Sequence, residues 1–201
     1  MNPEEAYAYA LKNGPGEDTR DIACQDPEWA YKYALYIDKY PRKDTREAAC
    51  KNPEYAYEYA VDIDGSPRED TRKAACEDPE YAHLYAFYVD GTPRKDTRKA
   101  ACQNPYYAYC YAEEIDKCPT KDTRKAACKN PRYAYLYAKN VDKCSKENTR
   151  KAAGRSLYYA YLYITKIDKS FHKDTYDTVI GTEYEKECKE FLNNLTKEEV
   201  I

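Results

Sequence analysis

Cysteine is the potentially reactive residue that this sequence repeats most regularly. Five of its nine cysteines recur every 26 residues, and glycine takes the sixth position of the series: Cys24, Cys50, Cys76, Cys102, Cys128 and Gly154. No CxxC or HxxxH spacing occurs, so the pattern does not favour a zinc site. Like positions in neighbouring helical repeats would lie about 10 Å apart, too far for a ladder of disulfides. We interpret these cysteines as small buried apolar groups.

Other catalytic chemistry has little support in the sequence. There is no nucleophile–base pair and no phosphate-binding loop among the familiar motifs. The only two histidines are His83 and His172, and the repeat pattern does not bring them together. We therefore expect a protein that is not an enzyme and that uses no metal or cofactor.

The same 26-residue period governs the elements that carry the cysteines. Each period contains an Asx–Pro pair followed by a run rich in tyrosine and alanine, such as residues 52–60. An Asx side chain can accept hydrogen bonds from the first-turn amides, and proline is well tolerated at the first helical position. These features predict a helix of about twelve residues after each Asx–Pro pair. The preceding segment, such as residues 44–50, predicts a shorter first helix.

The repeats predict an all-α fold, an α-solenoid of about six two-helix repeats. We place an N-terminal half-repeat cap at 1–17, six helical repeats at 18–173, and a C-terminal capping helix with a tail at 174–201. A two-helix unit of this size cannot bury its apolar face alone, so stacking must supply the core. The capping helix is predicted from apolar residues at helical spacing: Tyr184, Cys188, Phe191, Leu192 and Leu195.

Three sets of repeated residues are predicted to have structural roles. On a helical wheel the first set lies within the face that stays nearly constant between repeats: Tyr33, Tyr59, Tyr85, Tyr111, Tyr137 and Tyr163. The second set consists of arginines in the first helices, including Arg46, Arg72 and Arg98. The third consists of aspartates at the ends of the second helices, including Asp64, Asp90 and Asp116. Because an acid there opposes the helix dipole, we expect each aspartate to meet an arginine or a first-turn amide.

Two further sets are candidate contacts for a partner. One lies at the edge of the constant face: Tyr31, Tyr57, His83, Tyr109, Tyr135 and Tyr161. Packing between repeats is the alternative role for these rings, since edge aromatics suit both. The other set belongs to the basic region 122–173: Lys125, Lys129, Arg132, Lys151 and Arg155.

Charge is unevenly distributed along the chain. The whole sequence has a net charge of −3, whereas residues 44–95 have −5, residues 122–173 have +9 and residues 174–201 have −5. Since a solenoid keeps sequence order in space, these blocks are expected to form separate patches. The basic block is a candidate docking site for an acidic partner, with drift between solvated repeats as the alternative.

The sequence has no apolar run of about 18 residues, so no transmembrane span is predicted. Residues 1–5 lack the basic and apolar regions of a secretory signal. We therefore expect a cytoplasmic protein that does not contact membranes.

The run Thr-Arg-Lys-Ala-Ala-Cys-Lys-Asn-Pro resembles the leucine-rich variant repeat and, more loosely, HEAT-like repeats. Both families are α-solenoids, although the period and the second helix are longer here, and the iron–sulfur cysteines of one leucine-rich variant protein have no counterpart. Over about residues 18–170 the chain is similar to the tyrosine-rich Asp-Pro-Glu-Tyr-Ala-Tyr-x-Tyr-Ala repeats of proteins from tailed phages and large DNA viruses. That resemblance implies a viral or phage origin and transfers no activity.

The leading functional hypothesis is a non-enzymatic repeat scaffold that binds a protein partner, as would suit a phage or viral protein acting on a host target. A nucleic-acid-binding protein that uses the basic region 122–173 is one alternative, because tyrosine can stack on bases. Capture of a small ligand in a groove between repeats is the other.

Overall fold

The computed structural model describes residues 1–168 and 170–198, and of 195–198 it describes the backbone alone. The described residues form helices and connecting loops without any strand. The prediction of an all-α fold is therefore confirmed. The chain divides into two units, residues 1–101 and 102–201. This division falls inside the repeat 96–121, between its first and second helix.

The first unit begins with an N-terminal helix, after which short helices alternate with tyrosine-rich ones. Its α-helices are α1 (Pro3–Asn13), α2 (Glu17–Ala23), α3 (Pro27–Tyr33), α4 (Lys43–Ala49), α5 (Pro53–Tyr59), α6 (Glu69–Ala75), α7 (Pro79–Tyr85) and α8 (Lys95–Ala101). Each tyrosine-rich helix packs against the short helix of the following repeat. This regular stacking gives the solenoid of helix pairs that the period predicts.

The second unit repeats the same arrangement and ends with a longer helix. Its described helices are α9 (Pro105–Cys110), α10 (Lys121–Ala127), α11 (Pro131–Leu136), α12 (Glu147–Ala153), α13 (Leu157–Lys166), α14 (Lys173–Val179) and α15 (Glu185–Glu198). Cys188 of α15 is buried against Ile164 and Val179, with Phe191 and Leu192 beside it. The side chain of Leu195 and the tail at 199–201 lie outside the described residues.

Asx side chains cap the tyrosine-rich helices as their sequence predicts. Asp26, Asn52, Asp78, Asn104 and Asn130 each accept a hydrogen bond from a first-turn amide, with proline at the first helical position. In the repeat 148–173, Ser156 replaces the Asx residue and its side chain does not cap the helix.

The ends of most tyrosine-rich helices differ from the uniform α-helix that was predicted. Five of these helices continue into a π-helical segment: Ala34–Asp38, Ala60–Asp64, Ala86–Asp90, Tyr111–Asp116 and Tyr137–Asp142. A π turn bonds residue i to residue i+5, so residues five apart come to lie over one another. Each segment is followed by a residue in the left-handed conformation: Lys39, Gly65, Gly91, Lys117 and Lys143.

No helix among the described residues is long and apolar enough to cross a membrane.

Candidate interaction surface

The repeated tyrosines of the constant face form the interior of each unit. Tyr33, Tyr59, Tyr85, Tyr111, Tyr137 and Tyr163 are all fully buried. The hydroxyl of Tyr85 lies 2.9 Å from Oγ1 of Thr71 and accepts a hydrogen bond of 3.0 Å from the amide of Arg68. Burial raises the pKa of Tyr85, since the charged phenolate would lose its hydration. These rings hold the scaffold together and offer no surface to a partner.

The threonines that meet these hydroxyls were not singled out from the sequence. Thr19, Thr45, Thr71, Thr123 and Thr149 occupy one position of the 26-residue repeat, are buried, and each place Oγ1 within 2.9 Å of one of these hydroxyls. Their constant spacing is the signal that could have found them, because a polar residue kept at one position of every repeat needs a buried partner.

Repeated arginines and aspartates form buried ion pairs within several of the repeats. Arg20 binds both carboxylate oxygens of Asp38, at 2.9 and 2.7 Å, and the Asp38 side chain is 1% exposed. Arg72 binds Asp90 in the same way, and Arg124 binds Asp142. The ion pair accounts for an acid at the end of a helix, where it would otherwise oppose the dipole.

The remaining members of these two series vary. Asp64 contacts two arginines, Arg46 at 3.3 Å and Arg68 at 2.9 Å, and Arg46 also binds Asp70. Arg98 belongs to the first unit and Asp116 to the second.

Among residues 1–168 and 170–198, the last aspartate of the series, Asp168, has no arginine partner, and its carboxylate lies 3.8 Å from Nε2 of His172. Arg150 binds Asp174 instead, at 2.9 Å. Asp168 accepts a hydrogen bond from Ser145, and its second oxygen has no hydrogen-bond partner among residues 1–168 and 170–198. Burial raises the pKa of Asp168, because nothing compensates fully for the lost hydration of its carboxylate.

The edge aromatics that were candidate partner contacts are mostly engaged between repeats. Tyr31 stacks on Tyr55 with ring centroids 6.0 Å apart and donates a 2.7 Å hydrogen bond to Asp62. The other tyrosines of this set also pack on a ring of the next repeat or on the ring just before α15. Tyr109 stacks on Tyr133 and Tyr161 on Tyr184, and the rings are tilted in the pairs Tyr57–Tyr81 and Tyr135–Tyr159. His83, Tyr109 and Tyr135 are buried. This placement favours the packing role, and partner binding by these rings stays a prediction.

The basic candidates lie on the second unit, mostly at its surface. Lys125, Lys129 and Arg132 are exposed, and the guanidinium of Arg132 lies 5.7 Å from the centroid of Tyr133. Lys151 forms an ion pair with Glu147, and Arg155 donates hydrogen bonds to the carbonyls of Ala152 and Cys128. Two of these five cations are therefore already engaged within the chain.

The sequence did not point to a surface of the first unit that exposes several large apolar side chains. We call it the aromatic face and define it by five exposed side chains: Tyr36, Tyr40, Val61, Phe87 and Tyr88. Tyr36, Val61, Phe87 and Tyr88 belong to the π-helical segments, and Tyr40 belongs to the loop after the first of them. Phe87 packs edge-on against Tyr88, with centroids 4.8 Å apart. Tyr88 is 65% exposed, whereas the six repeated tyrosines of the constant face are fully buried.

This face was missed because it has no period in the sequence. Tyr36 and Tyr88 occupy the same repeat position, but the repeat between them has Asp62 there. A comparison of repeats therefore classified the position as variable.

Two grooves run between neighbouring π-helical segments on this face. The first has a volume of about 390 Å³, and its lining residues are Ala34, Leu35, Lys39, Tyr40, Pro41, Asp62 and Ile63. The second, of about 110 Å³, is lined by Val61, Ser66, Tyr88 and Val89 with Ala60 and Gly65. A third hollow, beside Arg46, Glu69 and Lys73, lies among charged side chains.

The five cysteines of the repeat series are half-buried, which is less than the full burial that the sequence predicted. The cysteines are free, and burial raises the pKa of Cys50 and of Cys76 to about 12. Within the part of the chain that the structure describes, no group of three or more histidine, cysteine or acidic side chains is arranged to hold a metal ion.

The fold and these surfaces define the class of protein as an all-α solenoid of tyrosine-rich helix pairs. Comparisons of the chain with protein-family models, with curated proteins and with solved structures give no match.

Proposed function

We propose that this protein is a non-enzymatic repeat scaffold that binds a protein partner through the aromatic face of residues 1–101. One observation carries the proposal: Phe87 packs on Tyr88, Tyr88 shares a groove with Val61, and all three are exposed on helices that a buried tyrosine core holds in place. Exposed apolar patches with polar surroundings are typical of protein-binding sites, and aromatic residues supply most of the binding energy there.

The rigidity of the scaffold supports the same conclusion. Tyr59 and Tyr85 anchor the helices that carry Val61, Phe87 and Tyr88, so a partner would meet a surface that is already ordered. A preorganised surface loses little conformational entropy on binding. The resemblance to repeats of phage and viral proteins leads us to propose a host protein in the cytoplasm as the partner.

Co-purification with matched variants tests the proposal. The double variant Phe87→Ser, Tyr88→Ser alters the aromatic face, whereas Lys73→Ser, Glu77→Ser alters two exposed residues on and after α6 in the same unit. We expect a specific partner to be retained by the wild type and by the second variant and lost by the first. Recovery of the same proteins by all three would contradict the proposal.

Nucleic-acid binding is the second candidate function, and one observation favours it. Lys125, Lys129 and Arg132 are exposed in the second unit, where Tyr158 is also exposed and available for stacking. A salt-dependent shift of a single-stranded oligonucleotide, weakened by Lys125→Glu with Lys129→Glu, would support this function. An oligonucleotide that does not bind at low salt would count against it.

A further inference from the structure

The two grooves of the aromatic face are the same site in successive repeats. Moving the six lining positions of the second groove back by 26 residues gives six of the seven that line the first. The differences lie in the walls. Tyr40 of the first groove corresponds to Ser66, and Asp62 corresponds to Tyr88. Each groove therefore has one exposed tyrosine ring, on opposite walls.

The repeat sets the distance between the grooves. Packed helices lie about 8–10 Å apart, so an occupant must offer matching side chains at about that interval. A polyproline II helix advances about 3.1 Å per residue with three residues per turn, which brings every third side chain to the same side after about 9 Å. In a β-strand, side chains return to one face every second residue, or about every 7 Å. Two side chains three residues apart therefore point to opposite faces of the strand.

The composition of the groove walls suits the same occupant. Proline-rich peptides dock in grooves lined by aromatic rings, because their backbone is already extended and little entropy is lost. Tyr40 and Tyr88 supply the rings here, and Val61 and Leu35 supply aliphatic floors. The second groove, at about 110 Å³, falls below the usual size of a site for a drug-sized ligand. It suits the insertion of a single side chain.

Asp62, which lines the first groove, ends a row of three carboxylates in the second repeat. Glu54, Glu58 and Asp62 follow one another at intervals of four residues along the second repeat. Burial raises the pKa of Glu58, and the neighbouring charges of Glu54, Asp62 and Glu28 raise it further. Lys32 lowers it, but repulsion between the carboxylates dominates. A cationic partner would relieve this repulsion.

We propose that the aromatic face binds a proline-rich, positively charged peptide segment in the polyproline II conformation, with prolines three residues apart in the two grooves. This inference rests on the proposed function and names the class of partner for that same face. The arginines or lysines of the segment would lie along Glu54, Glu58 and Asp62.

Fluorescence anisotropy with three labelled peptides and the full-length protein tests the inference. The first peptide has prolines at every third position and arginine at both ends, with alanine elsewhere. The second has the same composition with prolines at every fourth position, and the third has glutamate in place of arginine. We expect the first to bind at least about tenfold more tightly than the other two. The second peptide would lose about one hot-spot contact in a groove, and the third would lose its charge contacts.

Matched protein variants locate the binding. Tyr40→Ala and Tyr88→Ala should each raise the Kd of the first peptide about tenfold, whereas Lys73→Ala should leave it unchanged. Both tyrosines are exposed, so circular dichroism should show an unchanged helical content. Equal binding of the first two peptides, or an unchanged Kd for Tyr88→Ala, would overturn the inference.

Failure of the inference can be separated from failure of the proposed function. If no proline-rich peptide binds while co-purification still depends on Phe87 and Tyr88, the polyproline assignment is wrong and the protein-binding face stands. The polyproline assignment is also wrong if an arginine-bearing amphipathic helical peptide binds at Tyr88 in place of the first peptide. Loss of that dependence in co-purification would contradict both.

Discussion

The hydroxyl of Tyr59 lies 2.9 Å from Oγ1 of Thr45, fourteen residues earlier, in an interior without access to water. The same hydroxyl contacts the amide and the carbonyl of Arg42, at 3.0 and 3.1 Å. One phenol group therefore joins the tyrosine-rich helix to the start of the short helix in its own repeat.

Removing this hydroxyl should destabilise the first unit. We expect Tyr59→Phe to cost about 1–3 kcal/mol, because the Arg42 amide and the Thr45 hydroxyl would lose a buried partner. Tyr59→Ala should cost about 3–5 kcal/mol, since a large cavity is added. Urea denaturation measures both, with the exposed Tyr36→Phe as the control. Equal stability of Tyr59→Phe and the control would show that the hydroxyl contacts contribute nothing.

The buried Arg20–Asp38 pair should behave differently from an exposed pair. Arg20→Gln and Asp38→Asn should each cost about 3–5 kcal/mol, because each leaves its partner charged and buried. The double variant should cost less than the sum of the two. A double-mutant cycle measures the coupling, and the exposed Lys43–Glu47 pair serves as control, with an expected coupling of about 0.5 kcal/mol or less. Similar coupling energies in both cycles would contradict this expectation.

The incompletely compensated carboxylate of Asp168 should make the last repeat sensitive to pH. Its folded pKa is raised from 3.8, so stability is lost as pH rises from that value through the folded pKa. Asp168→Asn should therefore increase the stability of α13 at pH 7 by about 1–3 kcal/mol and leave it little changed at pH 3.

Hydrogen exchange of the α13 amides measures this effect. Asp142→Asn is the matched control, because Asp142 is bound by Arg124 and its loss should lower stability at pH 7. Asp168→Asn that destabilises α13 at pH 7 would show that the carboxylate is compensated in solution.

Backbone strain at Lys143 offers a stabilising substitution. Lys143 has a φ of 54°, and the equivalent positions of two earlier repeats carry Gly65 and Gly91. We expect Lys143→Gly to stabilise the second unit by up to about 1 kcal/mol, because glycine adopts this conformation without steric cost. Gly91→Ala should cost about 1 kcal/mol in the first unit. Thermal or urea unfolding measures both, and a destabilising Lys143→Gly would show that the lysine side chain contributes more than the strain costs.

Thiol labelling should separate the cysteines by their position in the repeat. Cys118 and Cys144 are exposed in loops, whereas burial raises the pKa of Cys50 and Cys76 to about 12. The thiolate is the reactive form, so we expect the two loop cysteines to react rapidly with an aromatic disulfide reagent and the half-buried Cys50 and Cys76 to react much more slowly. Cys118→Ser with Cys144→Ser should remove the rapid phase. A rapid phase that survives this change would indicate opening of the repeats.

The sequence alone determined which elements form and which face of each is buried. The Asx–Pro pairs start the helices through local hydrogen bonds, and the 26-residue period places Tyr33 and its equivalents on one side of a helical wheel. The aspartates at helix ends also predicted a positive or amide partner, because the helix dipole is a local property. Such features depend on a few neighbouring residues, and so the sequence is sufficient for them.

The tertiary structure decided which surfaces remain open. Tyr31 and Tyr88 occupy repeat positions near the two edges of the constant face on the helical wheel. Only packing could show that Tyr31 stacks on Tyr55 of the next repeat and that Tyr88 stays exposed. The π-helical ends, the partner of Asp168 and the equivalence of the two grooves likewise depend on how one repeat meets the next. The contacts of Asp168 and of the stacked rings join residues 23 or more positions apart, and the π-helical segments change the helix itself. A local sequence pattern encodes neither.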